Sequence, residues 1–255
     1  MGELIETRDR DRLRALLARD AELHVYELGD LDDRFWPHTR WWVRGDAVVL
    51  LYAALEPPVL VALGGLASHA ALLDELVAAG ELPAELYAHL SPGLAATLAA
   101  RFEIASRGPH LKMALRRRVA AEPVGVVSLG PADADELVAF YADAYPGNWF
   151  EPRVLDTGLY VGVRDAGRLV AAAGVHVFSA SERVAALGNI AVAPRARGRG
   201  HSVAVTAAVC RKLEPLVDVV GLNVKSVNAA ALAAYRRVGF EPVAPYEELR
   251  LTRRA

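Results

Sequence analysis

From Gly188 to Lys212 the sequence runs Gly-Asn-Ile-Ala-Val-Ala-Pro-Arg-Ala-Arg-Gly-Arg-Gly-His-Ser-Val-Ala-Val-Thr-Ala-Ala-Val-Cys-Arg-Lys, and few backbone arrangements satisfy it. Asn189 to Ala193 reads as a short apolar strand and Pro194 stops it; a turn with three arginines and two glycines follows, and a helix opens near His201. A strand that delivers a glycine turn to a helix N-terminus presents the unpaired N–H groups of the first helical turn, with the positive end of the helix dipole behind them. Gly198 and Gly200 allow the backbone to come close to a bulky group. The stretch predicts an anion site, with phosphate as the first expectation.

Charge and composition narrow the partners. A formal net charge of -2 over 255 residues argues against a general nucleic-acid surface, which carries a basic excess. The short runs Arg116-Arg117-Arg118 and Arg253-Arg254 read as solvated strand ends. With 53% hydrophobic and 24% charged residues there is material for a sizeable core, and the length suits two domains of modest size. Cys210 is the single cysteine, so an internal disulfide is excluded, and its apolar helical setting predicts a small buried side chain rather than a nucleophile. The charged N-terminal stretch lacks a signal-peptide pattern, and no apolar run approaches the roughly 18 residues of a membrane span. A cytoplasmic location without a membrane partner is the expectation. The histidines His24, His38, His69, His89, His110, His176 and His201 show no close ligand spacing, so no metal is expected. The glycine turn also lacks the Gly-Lys-Ser/Thr ending of a P-loop, which disfavours ATP.

Taken in order, residues 5–32 predict two helical pieces ending at Gly29, after which Trp41 to Arg44, Ala47 to Leu55 and Val59 to Leu63 read as strands. Ser68 is placed to cap a helix through Ala79 with Gly80 as its stop. Leu86 to His89 reads as a strand, Pro92 to Arg101 as a helix, and Phe102 to Ser106 and Leu111 to Arg117 as two further strands. The pattern breaks from Arg118 to Gly130, with Ala120 to Gly125 as a linker, which divides the chain into domains 1–120 and 121–255. The second domain predicts a helix over 132–145, the irregular aromatic stretch Tyr145 to Phe150, and a short helix to Leu155. A hairpin of Leu159 to Arg164 and Arg168 to Val177 follows, then a strand Val184 to Val192 into the glycine turn. Beyond it come a helix ending before Pro215, a strand Val217 to Val224, a helix Ala229 to Val238 stopped by Gly239, and a last strand pair from Phe240. The fold class is mixed α/β: a mostly antiparallel sheet flanked by helices.

The turn Arg197-Gly198-Arg199-Gly200-His201-Ser202 resembles the pyrophosphate signature of the GNAT superfamily of acetyl-CoA-dependent N-acyltransferases, departing from it at Ser202, where Gly or Ala is usual. Ile190 to Pro194 is similar to the family's fourth strand with its proline exit, and Asn228, Ala231, Tyr235 and Gly239-Phe240 match a second motif of the family downstream. The likeness covers about residues 125–250; the first domain carries no such signature and reads as a degenerate copy of the same fold. The resemblance implies an acyl-CoA N-acyltransferase fold and acetyl-CoA (coenzyme A) as cofactor. It also implies a primary amine acceptor, either a small molecule or a peptide or protein amine.

Acyl transfer from a thioester needs a held donor, a deprotonated amine, a stabilised oxyanion and a proton for the leaving thiolate. The amides of Gly198 to Ser202, His201 among them, suit the two phosphates, and Arg197 and Arg199 offer charge-assisted contacts. By resemblance, the strand parts from its neighbour near Ile190, Ala191 and Val192, so that its backbone binds the pantetheine arm and one N–H faces the thioester carbonyl. Asn228 and Tyr235 lie seven residues apart on one helix face, which lets Asn228 contact the arm while Tyr235 serves as the leaving-group acid. Asn228 as a plain N-cap and Tyr235 as a packed aromatic are the competing readings. The family's acid on or before the fourth strand is missing, since Arg183 to Asn189 contains none. His176, Glu182 and, more remotely, Glu151 are the candidate bases, with deprotonation through water as the alternative. Trp149 and its aromatic neighbours suit either an acceptor-pocket wall or a core plug. Two other readings stand beside the N-acetyltransferase: a non-catalytic acyl-CoA-binding module and a transferase for a longer acyl group.

Overall fold

The computed structural model describes residues 5–117 and 125–254, so the expected linker, apart from Gly125, lies outside the described residues. In chain order the elements are β1 (Ile5–Glu6), α1 (Arg10–Leu17), α2 (Val25–Gly29), β2 (Thr39–Arg44), β3 (Ala47–Tyr52), β4 (Val59–Ala62), α3 (Leu66–Ala79), β5 (Glu85–Leu90), α4 (Ala95–Leu98) and β6 (Phe102–Leu115). The second series is β7 (Val126–Leu129), α5 (Ala134–Ala144), a 3-10 helix (Pro152–Thr157), β8 (Tyr160–Asp165), β9 (Arg168–Ser179), β10 (Val184–Val192), α6 (His201–Leu213), β11 (Val219–Lys225), α7 (Ala229–Val238) and β12 (Phe240–Arg253). The two series repeat one order of strands and helices, with the 3-10 helix standing where α2 stands in the first. In each, a single parallel pair, β4 with β5 and β10 with β11, is joined by a crossover helix, and the other registered pairs are antiparallel. Among the described residues no helix is long and apolar enough to cross a membrane.

Two compact units result: Met1–Lys112 with Lys225–Val227 and Val243–Ala255, and Met113–Val224 with Asn228–Pro242. The expected division at residue 120 therefore needs correction at the far end of the chain. Strand order in the first unit is β1-β2-β3-β4-β5-β12-β6. Glu247 to Thr252 of β12 pair with Leu90 to Glu85 of β5, and Leu249 and Leu251 enter the same core cluster as Leu72, Leu76, Leu86 and Leu90. Period-2 alternation causes this assignment, since it puts Leu249 and Leu251 on one face and Tyr246 and Glu248 on the other.

Several boundaries moved for identifiable reasons. Helix α3 starts at Leu66 with Gly65 as its N-cap, and Ser68, already inside the first turn, returns its hydroxyl to the Gly65 carbonyl at 3.3 Å. Gly80 stops it in a left-handed conformation, φ +72°, as expected. The two strands expected between Phe102 and Arg117 are one: β6 runs unbroken through Ser106-Arg107-Gly108-Pro109, where Gly108 has φ +95° and its N–H bonds the Ser106 hydroxyl at 3.0 Å. The helix expected over 92–101 shrinks to α4, and the last strand pair is the single strand β12. Strand β7, inside the broken pattern, was not expected.

On its polar face the first unit holds a buried cluster. Glu248 accepts hydrogen bonds from the Tyr87 hydroxyl and, at 2.7 Å, from the Tyr246 hydroxyl, with His110 Nε2 at 3.4 Å and His89 Nε2 at 3.7 Å. The Lys112 ammonium lies 4.9 Å from the Tyr26 ring centre and 5.8 Å from that of Tyr246. Glu27 receives His24 Nδ1 on Oε1 at 2.9 Å, while its Oε2 is enclosed without a hydrogen-bond partner. Burial raises the Glu27 carboxyl, but the charges of Lys112 and His24 outweigh it and bring it down to about 2.

Burial also drives His89 from its ordinary 6.5 to about 4, against the pull of Glu248. A histidine held neutral in the fold takes up its proton first in the unfolded chain, so its contribution is intact above pH 6.5 and is lost as the pH falls from 6.5 towards 4. On the order of 3 kcal/mol is at stake. Urea unfolding at stepped pH is expected to show this acid limb and His89→Phe to flatten it; equal slopes in both proteins would remove His89 as its source.

Candidate active site

In the second unit the strand order is β11-β10-β9-β8-β7. Strand β10 pairs in parallel with β11 only from Val184 to Leu187, opposite Val219 to Leu222, although β11 continues to Lys225. From Gly188 onward β10 keeps only its antiparallel partner, and the register with β9 jumps from Gly188↔Gly174 to Ala191↔Ala172. One extra residue is therefore accommodated at Asn189-Ile190, where Asn189 takes φ +53°. Ile190, Ala191 and Val192 lie on this stretch, beyond the last β11 register pair.

Pro194 turns the chain through one 3-10 turn, Arg197 is extended, and Gly198 and Gly200 have φ +78° and +82°. A Cβ at either glycine would meet no heavy atom within 4 Å beyond its chain neighbours, so backbone conformation rather than crowding selects glycine there. Gly200 is the N-cap of α6 and supplies no capping side chain; the helical ladder starts with Ala204 N–H on the Gly200 carbonyl at 3.1 Å. The amides of His201, Ser202 and Val203 precede the first helical bond and form the open end of the dipole. Arg197 is exposed, with Nε 3.4 Å from the Val192 carbonyl, and Arg199 stands 3.5 Å from Asp165 with both side chains 60% exposed. So exposed a pair contributes little and leaves Arg199 able to turn to another anion. Cys210 is buried in α6, and burial pushes its thiol up to about 12, which suits packing and not nucleophilic work.

Helix α7 carries the second motif. Asn228 is its N-cap, accepting the Ala231 N–H on Oδ1 at 3.1 Å, so the capping role exists and uses only the oxygen of the amide. Tyr235 is 7% exposed, with its ring edge-on to Phe240 at 6.2 Å. Burial, and then the neighbouring Tyr145, push its hydroxyl well above the usual phenol range, so it stays protonated. Gly239 stops the helix at φ +118°, where a Cβ would come within 2.8 Å of the Arg117 carbonyl.

The candidate bases separate. His176 sits in a second bulge, where the register slips between Ala186↔Val177 and Leu187↔Val175, and its ring occupies the space a Gly188 side chain would fill, 2.1 Å from that Cβ position. Burial lowers its pKa, partly offset by the Asn189 side chain, and its Nε2 is enclosed. It is a neutral imidazole beside the Asn189 bulge. Glu182 is in the turn that precedes β10, with its N–H on the Ser179 hydroxyl at 3.1 Å. Six residues of strand from Val184, roughly 20 Å at about 3.3 Å each, separate that turn from Ile190. Strand length thus puts Glu182 at the far end of β10 from Ile190, which counts against it as a base there. Glu151 pairs with Arg153 at 2.5 Å on the surface. The aromatic stretch divides: Phe150 packs 5.0 Å from Tyr141 and 5.6 Å from Tyr160, whereas Trp149 is 49% exposed.

Three residues on this face were missed in the sequence: Asn189, Tyr160 and Tyr141. Tyr141 donates to the Asn189 carbonyl at 2.7 Å, and the Asn189 side-chain nitrogen donates to the Tyr160 hydroxyl at 3.1 Å. The available signal was Gly174 and Gly188 inside strand patterns, the mark of bulges and close approach. Gly174 makes room for the Tyr160 ring, 2.2 Å from where its Cβ would stand. The corresponding place in the first unit is closed. β4 and β5 stay in register from Val59 to Ala62, Ser91 takes the Gly64 N–H on its hydroxyl at 2.9 Å, and the Ser91 N–H bonds the Ala62 carbonyl at 3.0 Å.

Parted parallel strands, a crossover helix opened by a glycine turn, and an otherwise antiparallel sheet define the acyl-CoA N-acyltransferase fold. Residues 131–240 match the acetyltransferase (GNAT) family. Among solved structures the chain is similar to a Drosophila protein at 15% identity, covering 98% of both chains with a TM-score of 0.69. A GCN5-related N-acetyltransferase from Sphaerobacter thermophilus aligns at 15% identity over 98% of this chain and 95% of its own, with a TM-score of 0.63. A tandem GNAT protein from the clavulanic acid biosynthesis pathway aligns at 19% identity over 98% of both chains, with a TM-score of 0.56. At these identities the likeness is one of fold. No curated protein matches the chain.

Proposed function

We propose that the second unit transfers an acetyl group from acetyl-CoA to a primary amine by direct attack on the thioester. The observation that carries this reading is the end of β10–β11 pairing at Leu187, close in sequence to a helix whose N-terminus has two left-handed glycines and no side-chain cap. The amides from Gly198 to Ser202 hold the pyrophosphate, with Arg197 and Arg199 swinging onto its oxygens. The β11-facing edge of Ile190 to Val192, beyond the last β11 register pair, pairs with the pantetheine arm as an added strand. Asn228 holds the start of α7 and offers its side-chain nitrogen to the same arm.

The amine nitrogen attacks the carbonyl carbon and gives up a proton, the C–S bond breaks, and the sulfur leaves with its electron pair. His176, neutral at physiological pH and with no hydrogen-bond partner on Nε2, is the favoured proton acceptor, with water carrying the proton towards it. Tyr235 has a pKa above that of a thiol, so it steadies the departing sulfur as a hydrogen-bond donor, and solvent completes the thiol. The acceptor class is a small-molecule, peptide or protein amine.

The test is release of coenzyme A thiol across a panel of amines, paired with calorimetric binding of acetyl-CoA. Turnover with at least one amine is expected; tight binding with no turnover on any would favour an acyl-CoA-binding module, and preference for a longer thioester would change the donor. Tyr235→Phe is expected to lower turnover about 10- to 100-fold with affinity for acetyl-CoA nearly unchanged. An unaltered rate would leave Tyr235 a packing residue.

A further inference from the structure

We infer that Tyr141, on α5, is a positioning residue for the reaction: by fixing the Asn189 carbonyl it aims the N–H of Ile190 as the oxyanion donor. This rests on the acyl-transfer reading above. The geometry behind it is that of one peptide plane. In a trans peptide the C=O of one residue and the N–H of the next point in opposite directions, so whatever holds the one sets the other. The Asn189–Ile190 peptide sits where the register skips, and neither residue has a register partner on β9 or β11. The strand ladder therefore sets no residue of β9 or β11 opposite this plane, and Asn189 takes a left-handed φ of +53° there.

Other contacts take over from the ladder. The Tyr141 hydroxyl donates to the Asn189 carbonyl at 2.7 Å, and the bond is buried. Burial keeps the Tyr141 phenol far above its ordinary pKa, so the proton needed for donation is present at any working pH. The Asn189 side chain is tied to Tyr160 at 3.1 Å, and the Tyr141 and Tyr160 rings are bridged by Phe150, so the residue is gripped from α5 and from β8. With the carbonyl held towards α5, the Ile190 N–H points the other way. A donor whose direction is fixed before the substrate arrives needs no reorientation when charge develops, the condition under which such donors act strongly.

The sequence contains three isoleucines, Ile5, Ile104 and Ile190, so 15N-isoleucine labelling gives a spectrum in which Ile190→Val identifies the Ile190 amide. Saturating acetyl-CoA is expected to move that amide proton downfield in the wild type and less than half as far in Tyr141→Phe. Turnover by Tyr141→Phe is expected to drop about tenfold or more, with the dissociation constant for acetyl-CoA within about twofold of wild type. Equal displacement in the two proteins, or turnover within twofold, would overturn the assignment. So would an Ile190 amide that does not move while acetyl-CoA binds; absence of saturable acetyl-CoA binding would instead strike the acyl-transfer reading itself. If Tyr141→Phe fails to fold, 3-fluorotyrosine at position 141 keeps the packing and sharpens the donor. A larger displacement is then expected, and an unchanged one counts against the role.

Discussion

Lys112→Met is expected to lower the unfolding free energy by about 3 kcal/mol, the cost of leaving a buried charge without its counter-charge. Lys112 and Glu27 are each only 3% exposed, and Glu27 has one oxygen on His24 and the other enclosed without a hydrogen-bond partner. Methionine replaces the stem of Lys112 but not its ammonium, so the aromatic contacts of Tyr26 and Tyr246 survive as packing while the attraction to their faces is lost. The pH dependence gives the effect a signature. Glu27 has a folded pKa of about 2 against an ordinary 4.5, so its contribution is complete above pH 4.5 and is lost as the pH falls from there towards 2. The deficit of Lys112→Met is therefore greatest above pH 4.5 and narrows below it. Denaturant titrations at pH 7 and pH 3.5 measure both, and adding Glu27→Gln is expected to recover part of the loss. A deficit below 1 kcal/mol, or one independent of pH, would mean that Lys112 does not hold Glu27 ionised.

Gly200→Glu is expected to weaken acetyl-CoA binding by about 100-fold or more while leaving the fold intact. No atom lies within 4 Å of a Cβ at Gly200, so the new side chain is admitted. Its carboxylate sits at the positive end of α6, where it takes the place proposed for the pyrophosphate. Gly200→Ala separates charge from backbone strain: it meets the same φ of +82°, costs about 1 kcal/mol of stability, and is expected to bind acetyl-CoA far better than Gly200→Glu. Calorimetric titration of both variants measures this. Affinity of Gly200→Glu equal to that of Gly200→Ala would remove the pyrophosphate assignment from the turn.

What could be read in advance follows from how local each determinant is. The α6 start at His201, the span of β10 and the stop of α7 at Gly239 were legible because glycine, proline and period-2 or period-3.6 patterns act within a few residues. The parting of β10 from β11 came from family likeness; the bulge that accompanies it depends on Asn189 meeting Tyr141 and Tyr160, 48 and 29 residues away. Glu182 looked plausible because it is near β10 in sequence, yet the six residues of strand from Val184 to Ile190 span a long distance. The cluster around Glu248 was invisible for the same reason: α2, β5, β6 and β12 each bring ordinary-looking polar residues, and only their common face makes them a group.

The position of β12 between β5 and β6 bears on how such a chain leaves the ribosome. A domain whose strands are all made early can close its sheet while later residues are still being added, at about 5–20 residues per second. Here the first unit has β5 and β6 in hand but lacks the strand that lies between them until Glu247 to Thr252 have been synthesised. Most of that unit is synthesised ahead of the second, yet the second acquires nearly all its strands before the first is complete, so the unit made earlier is the one finished later.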